Sequence, residues 1–257
     1  MATRFHFDDA IVRSYQASST SLPGTAKSTH QLAEWLHRNH WTYREGEATP
    51  AERLKLNNLF IKLVISANCW GPTSRHALAA FWADVLADLE PSVIFNTMSF
   101  LLDTLAKFPT PEKTPNPLLL SNLLSCSSKI LAKLWSICGP LLHNALERYL
   151  AVFKAFKANE EVRTEAACAV QCLAEIGSAW MNEEQKKALC AWVEPRAGQS
   201  ELTNVAKIRT AAAIMANYAA SAGKTLGKLF WKVAVDYAAI ESIFVSEALS
   251  ELISRLF

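Results

Sequence analysis

Long hydrophobic runs are missing from this sequence of 257 residues. No segment reaches the roughly 18 uncharged apolar residues that a membrane-spanning helix requires. The longest candidate, 210–223, is shorter and rich in alanine. Asp8 and Asp9 stand near the N-terminus, where a secretory signal needs an apolar core. We therefore expect an intracellular protein that is not secreted and has no membrane partner.

Paired cysteines and clustered metal ligands are also missing. The six cysteines lie in apolar segments without CxxC spacing, which predicts reduced thiols in the core: Cys69, Cys126, Cys138, Cys168, Cys172 and Cys190. His37 and His40 could share a helix face, but a metal site would need two further ligands. The neighbouring Trp35 and Trp41 favour packing instead. We expect no metal site.

Recognisable catalytic motifs are missing as well. The chain has no GxSxG, GxGxxG or HExxH sequence. Gly223-Lys224-Thr225 is similar to the end of a phosphate-binding loop, but Tyr218 stands where that loop needs glycine. These absences predict a binding protein without catalytic residues or a cofactor, rather than an enzyme.

Glycine is scarce, with eight residues, and apolar residues make up 51% of the chain. The pattern predicts an all-α protein, a compact multi-helix domain with an extended N-terminal arm. We expect residues 1–28 to form the arm and residues 29–107 an N-terminal helical subdomain. A proline-rich loop should follow at 108–117, and a C-terminal helical subdomain at 118–257.

Helix start signals recur along the chain. Thr49-Pro50-Ala51-Glu52 is a capping box with proline at the first helical position. Asn159, Asn182 and Ser200 are predicted N-caps, each followed by a glutamate that favours the helix dipole. Beyond the loop, helices are predicted near 118–138, 140–158, 160–178, 183–193, 200–222 and 225–256, the last with a break near Asp236.

Negatively charged residues are absent from a long C-terminal segment. Residues 202–235 contain no aspartate or glutamate, while five cations fall within them: Lys207, Arg209, Lys224, Lys228 and Lys232. The last three have the i, i+4, i+8 spacing of one helix face, beside Phe230 and Trp231. Cations for phosphates and rings for bases would suit single-stranded nucleic acid. The alternative is a solvated helix face with the aromatics turned into the core.

A second basic set lies in residues 154–163. It contains Lys154, Lys157 and Arg163, and nearby glutamates dilute its charge. Together the two sets are the candidate RNA-binding residues. In the N-terminal arm, the apolar residues Phe5, Phe7, Ile11 and Val12 are candidates for contact with a neighbouring subunit.

One short motif recurs. Val162-Arg163-Thr164 and Ile208-Arg209-Thr210 each precede an alanine-rich run, at a spacing that suits HEAT or armadillo repeats. Such repeats stack helix pairs into a scaffold for protein partners. A scaffold that mediates protein–protein interaction is therefore the alternative function.

Residues 49–85 resemble a region of potexvirus coat proteins, the coat proteins of flexible filamentous plant viruses. The resemblance rests on Thr49-Pro50-Ala51-Glu52, on Leu56 and Leu59-Phe60, and on Ala67-Asn68, Gly71-Pro72 and Ala83-Asp84-Val85. Looser similarities follow in a compatible order at Cys126, Trp135, Phe153-Lys154-Ala155-Phe156 and Val205-Ala206-Lys207. Lys157 stands where the family continues with a phenylalanine-aspartate element, so no binding residue is transferred from the family.

The resemblance implies an all-helical subunit whose extended arm latches onto its neighbour. Such subunits polymerise around single-stranded RNA and hold its backbone in a basic groove. The expected function is therefore a viral coat or nucleocapsid-type subunit, a structural protein that binds single-stranded RNA and forms a helical or ring-like homo-oligomer. It would be located in a virion or in the host cytoplasm.

Overall fold

The structure is a computed structural model that describes residues 26–65, 71–108, 110–113, 116–177, 180–196 and 198–256, without the side chains of 26–32 and 218–226. The predicted all-α class is confirmed, since these residues form helices and contain no β-strand. The helices are α1 (Ala26–Glu45), α2 (Pro50–Ile65), α3 (Pro72–Ala87), α4 (Pro91–Ala106), a 3-10 turn (Pro111–Lys113), α5 (Pro117–Lys133), α6 (Trp135–Ala155), α7 (Glu160–Glu175), α8 (Glu183–Trp192), α9 (Glu201–Ala238) and α10 (Ile243–Leu256).

The predicted helix caps are confirmed. The Thr49 backbone N–H donates to the Glu52 carboxylate at 2.7 Å, and the Glu52 N–H donates back to the Thr49 hydroxyl at 3.3 Å. Asn159 and Ser200 accept backbone hydrogen bonds at the starts of α7 and α9. Asn182 and Gln185 form a reciprocal capping box that starts α8. These caps supply partners for N–H groups that a helix start leaves open.

The chain divides after Cys138 into two compact units, not at the proline-rich loop expected to separate subdomains. The proline-rich segment lies between α4 and α5, but α5 still packs against α2, α3 and α4. Prolines stop a helix because they lack an N–H donor. They do not stop the next apolar helix from packing on the same core, so α5 stays with the first unit.

In the first unit, α1, α3 and α5 run in the same direction. His40 and Tyr43 of α1 contact Asp84 and Asp88 respectively, so residue numbers rise together in α1 and α3. Lys133 also pairs with Asp84, which joins the C-terminal ends of α3 and α5. Three parallel helices joined through α2 and α4 therefore form a row.

The buried amide of Asn57 connects three helices of this unit. Its oxygen accepts a hydrogen bond from Trp82 Nε1 at 2.8 Å, and its nitrogen donates to Thr97 Oγ1 at 3.2 Å. All three side chains are buried. A buried polar group must be satisfied to avoid a desolvation cost, and here each meets a partner on another helix.

In the second unit, α7 and the first half of α9 are also parallel. The hydroxyl oxygen of Thr164 lies 2.9 Å from that of Ser200 and 3.4 Å from that of Thr203. At the other end, a Cβ added to Gly177 would lie 3.5 Å from the Asn217 Oδ1 atom. Gly177 has φ +111°, the left-handed conformation that commonly follows a helix C-terminus.

Helix α9 does not run straight. A straight helix of 38 residues would be about 57 Å long at 1.5 Å per residue. Yet Ser242, which follows α9 closely, hydrogen-bonds to the carboxylate of Glu201, the first residue of α9. The two ends of α9 therefore lie close together. The helical conformation is interrupted at residues 239–242, close to the break predicted near Asp236. Helix α10 then packs along α9.

Among the cysteines, the prediction of core thiols is confirmed for Cys126 and Cys138, which are fully buried. Burial raises the pKa of Cys138 to about 11, so this thiol stays protonated. Cys168, Cys172 and Cys190 are partly exposed, and Cys69 lies outside the described residues.

Candidate anion-binding pocket

A cavity of about 220 Å³ opens in the second unit between α6, α7, α8 and α9. Five of its lining residues carry a positive charge and none carries a carboxylate: Lys154, Lys157, Arg163, Arg196 and Lys207. The rest of the wall is apolar and includes the rings of Phe153 and Trp192. We call these residues and this cavity the basic pocket. Its charge favours an anionic ligand.

Local sequence signals place each wall of the pocket. The end of α6 supplies Phe153 and Lys154, and the Asn159 cap starts α7 so that Arg163 lies within its first turns. The Asn182 capping box starts α8, which ends at Trp192. Gly198, with φ +72°, takes the left-handed conformation in the connection that carries Arg196 to α9.

Lys207 forms the buried end of the pocket. Its side chain is 1% exposed, and its ammonium donates a hydrogen bond to the backbone carbonyl of Glu194 at 2.8 Å. The same nitrogen lies 5.4 Å from the centre of the Trp192 ring and 5.8 Å from that of Phe153. The two rings pack edge to face at 5.5 Å. Ring faces attract cations, so they compensate part of the lost hydration.

Burial, followed by the positive charges of Arg196 and Arg163, lowers the pKa of Lys207 from 10.5 to about 7. The negative charge of Glu194 acts in the opposite direction but is the weakest of these influences. Removing an ammonium from water penalises its charged form, and neighbouring cations add to that penalty. Near neutral pH, Lys207 is therefore divided between its charged and neutral forms.

Two donors in the pocket wall have no acceptor among the described residues. The Arg163 guanidinium lies 4.8 Å above the Phe153 ring, and its Nε atom is buried without a hydrogen-bond partner. The Nε1 atom of Trp192 is buried and unpartnered in the same way. Such donors are uncommon in folded proteins and point to a missing acceptor. An anion with several oxygen atoms would supply one.

The structure brings together residues from both predicted basic sets. Lys154, Lys157 and Arg163, the set diluted by glutamates, meet Lys207 from the acid-free segment. Sequence reasoning missed Arg196, because it lies in the loop Glu194-Pro195-Arg196 and follows no helical spacing. Its position between Pro195 and Gly198, shortly before the Ser200 helix cap, was the signal that could have located it.

The acid-free segment 202–235 is not one basic surface, because Lys207 is buried while Arg209, Lys228 and Lys232 are exposed. Each aromatic fits a different interpretation: Phe230 is fully buried, whereas Trp231 is 49% exposed. Successive residues of an α-helix are rotated by about 100°, so cations in a long segment without acidic residues need not share a face. The Lys224 side chain and the arm residues Phe5, Phe7, Ile11 and Val12 lie outside the described residues.

The two copies of the recurring motif have different surroundings. Arg163 lines the pocket, whereas Arg209 is exposed. Helices α7 and α9 do stack in parallel, as successive repeats would. However, Thr164 meets Thr203 rather than the motif-equivalent Thr210, whose hydroxyl donates to the Ala206 carbonyl. The stacking thus resembles a repeat, but its register differs from that of the motif.

Metal ligands do not gather in the part of the chain that the structure describes, where no group of three or more His, Cys, Asp or Glu residues could hold an ion. His40 instead packs on Phe81, with ring centres 5.0 Å apart, and hydrogen-bonds to Asp84 at 2.6 Å. Trp35 is buried nearby, while Trp41 is 68% exposed. None of the described helices combines the length and apolarity needed to span a bilayer.

Comparisons with protein-family models, with curated proteins and with solved structures give no match.

Proposed function

We propose that this chain is a coat or nucleocapsid-type subunit that binds single-stranded RNA through the basic pocket and assembles with copies of itself. The observation that carries the proposal is the convergence of five cations from separate parts of the sequence on one cavity without a carboxylate. The proposal assigns a binding role and no catalytic step, in line with the absence of catalytic motifs.

The pocket suits a phosphate chain for two reasons. Lys154, Lys157 and Arg196 are exposed, so they can follow a flexible backbone at the mouth of the cavity. Arg163 and Trp192 also line the cavity, and each has a buried side-chain donor without an acceptor. A phosphate oxygen that reached these donors would supply one. Cations that neutralise phosphates release condensed counterions, which gives affinity without sequence preference. This is the behaviour that a protein coating an entire RNA requires.

Self-assembly is supported by apolar side chains that remain exposed in the second unit. Ile243 and Phe244, at the start of α10, are 76% and 59% exposed, and Leu202 and Val235 of α9 are more than half exposed. Exposed large apolar residues on one unit favour contact with a partner surface. In the proposed assembly that surface belongs to another copy, in keeping with the coat-protein resemblance of residues 49–85.

The RNA-binding part can be tested with matched charge variants. We compare a pocket variant (Lys154→Gln, Lys157→Gln, Arg196→Gln) with a control (Lys62→Gln, Lys107→Gln, Lys113→Gln) that removes three exposed charges from the first unit. Binding of a fluorescent poly-uridylate oligonucleotide is measured over a range of salt concentrations. The pocket variant should lower the salt slope of log K by about two, since each single-strand phosphate contact contributes about 0.7. The control should leave the slope unchanged.

A further variant, Lys228→Gln with Lys232→Gln, tests the exposed end of α9. If this variant weakens binding and the pocket variant does not, the RNA site lies on α9 and the pocket proposal is wrong. Assembly is tested by electron microscopy of the purified chain with and without RNA. Filaments or rings support the proposal, whereas a monomer that binds no RNA contradicts it.

The second candidate is a HEAT- or armadillo-like scaffold for protein partners. The observation that favours it is the parallel stacking of α1, α3 and α5 in one unit and of α7 and α9 in the other. A scaffold would remain monomeric and free of RNA, and its affinity for a partner protein would not depend on the pocket cations. The same purification and microscopy therefore separate the two candidates.

A further inference from the structure

We infer that the buried end of the basic pocket holds one phosphate of the RNA against Lys207, Arg163 and Trp192, and that Lys207 takes up a proton when this phosphate binds. The inference deepens the proposed function and rests on it. The proton comes from the buffer and converts the neutral amine into an ammonium, so the site gains one positive charge as the ligand brings a negative one.

Geometry is the first support. The Lys207 nitrogen has one hydrogen-bond partner among the described residues, the Glu194 carbonyl, although an ammonium carries three N–H donors. The Nε donor of Arg163 and the Nε1 donor of Trp192 are also without acceptors. Three side chains that line one cavity thus each have a donor without an acceptor. A tetrahedral phosphate has enough oxygen atoms to offer each of them one acceptor.

The charges around Lys207 explain why binding and protonation should be coupled. The cations come from two helices and two connecting segments: Lys154 from α6, Lys157 just after it, Arg163 from α7 and Arg196 after α8. Among the residues that the structure describes, Glu194 is the carboxylate whose charge acts on Lys207, and it is exposed. On α10, the charged side chains Glu247, Glu251 and Arg255 are exposed to solvent.

Without ligand, therefore, an additional positive charge inside the cavity is unfavourable, and the pKa of Lys207 stays near 7. A bound phosphate places a negative charge beside the Lys207 nitrogen, which offsets the repulsion from the neighbouring cations and favours the ammonium. Because uptake of a proton accompanies binding, the affinity must rise as the pH falls through the range in which free Lys207 is neutral.

Calorimetry measures the proton directly. We titrate the full chain with a 5′-hydroxyl oligouridylate at pH 7.5 in two buffers of different ionisation enthalpy. Internal phosphodiesters do not titrate near neutral pH, so the ligand contributes no proton. We expect an uptake of about 0.5 to 0.8 proton per site, because about three quarters of a group with a pKa of about 7 is neutral at pH 7.5. Between pH 8 and 9 the affinity should fall up to about tenfold.

Two variants assign the proton to Lys207. Lys207→Arg keeps a charge at every accessible pH, so RNA binding should show no proton uptake and no fall in affinity between pH 8 and 9. Lys207→Met should bind more weakly, also without uptake. Circular dichroism and thermal melts identify any variant that fails to fold. The wild-type measurement needs no substitution and tests the inference independently of them.

The outcomes separate this inference from the proposed function. RNA binding with no proton uptake overturns the inference and leaves the proposed function intact. No RNA binding at all overturns the proposed function. Inorganic phosphate and uridine monophosphate, titrated separately, show whether the phosphate alone is sufficient. Both of these ligands titrate near neutral pH themselves, so here the proton is assigned to Lys207 only by comparison with Lys207→Arg. Their binding in the absence of RNA binding would assign the phosphate site to a small ligand.

Discussion

The Lys207 ammonium nitrogen lies 5.4 Å from the centre of the Trp192 ring, in a cavity where both side chains are almost completely buried. Burying a charged lysine in such a position costs free energy, because its charge leaves water and lies near two arginines. Contacts with the ring and with one backbone carbonyl offset part of that cost. Features of this kind persist in proteins mainly where the group performs a task, and the cost has a measurable dependence on pH.

We expect the free energy of unfolding to rise with pH through Lys207. Its pKa is lowered from 10.5 to about 7 in the folded chain, so between these values the unfolded chain binds more protons. The contribution is smallest below pH 7 and grows by at most about 1.4 kcal/mol per pH unit above it. Urea unfolding of both proteins at pH 7, 8 and 9 measures this contribution. The free energy of unfolding of the wild type, relative to that of Lys207→Met, should rise with pH. Lys228→Met, at an exposed position, should behave as the wild type.

Asp84 is the anion that three basic side chains of the first unit share. His40 lies 2.6 Å and the Arg44 Nε atom 3.3 Å from its carboxylate, which also pairs with Lys133. Burial and the charges of Arg44 and Lys133 lower the pKa of His40 to about 4, so a neutral imidazole donates to Asp84. Asp84→Asn should lower the free energy of unfolding by about 2 to 3 kcal/mol, because the nearby cations lose their counter-charge.

The matched control for Asp84 is Asp88→Asn. Asp88 accepts a hydrogen bond from the Tyr43 hydroxyl at 2.7 Å, but its side chain is 46% exposed. An asparagine oxygen can still accept from Tyr43, and water screens the charge, so the loss should stay below about 1 kcal/mol. Denaturant titration at pH 7 compares the two. Equal losses of unfolding free energy in the two variants would show that the charge of Asp84 adds no more stability than that of the exposed Asp88.

Asn57→Leu should destabilise the first unit by about 2 to 4 kcal/mol. The substitution removes the amide and leaves its two partners, the Trp82 Nε1 and Thr97 Oγ1 atoms, buried without these hydrogen bonds. Asn58→Leu changes the next residue, which is exposed, and should shift the free energy by less than about 0.5 kcal/mol. Chemical unfolding monitored by tryptophan fluorescence measures both. A tolerated Asn57→Leu would mean that Trp82 finds another acceptor.

Asn182→Ala should loosen α8 and, with it, one wall of the basic pocket. The Asn182 side chain accepts a hydrogen bond from the Gln185 backbone N–H at 2.9 Å. In turn, the Gln185 side-chain oxygen accepts one from the Asn182 backbone N–H at 3.1 Å. Losing this cap should cost about 1 kcal/mol. Hydrogen exchange should then speed up in the first turn of α8. Glu184→Ala, an exposed first-turn change, should have an effect of only a few tenths of a kcal/mol.

Some features of the pocket were predictable from short sequence segments. Asn159, Asn182 and Ser200 cap the helices that the sequence assigns to them, because a cap depends on residues only three positions apart. Lys154, Lys157 and Arg163 were identified as a basic set for the same reason. Arg196 was not, since its place in the pocket depends on where α8 ends and α9 begins.

The bent course of α9 was only partly predictable. The sequence indicates a break near residues 223–225, whereas the structure has one helix from Glu201 to Ala238 whose ends lie together. Glycines lower the local helix propensity and so predict an interruption of the helix, but they do not determine the direction in which the chain continues. That direction follows from the packing of α9 against α7 and α10.

The sequence by itself determined the all-α class, the helix starts and the stretch from 202 to 235 without acidic residues, because these depend on neighbours along the chain. Only the tertiary structure decided that Lys207 is buried while Lys228 and Lys232 are exposed. It also decided that Lys207 meets Lys154, Lys157, Arg163 and Arg196. Whether a cation faces water or a cavity depends on which helices pack beside it, and those contacts join residues that are distant in sequence.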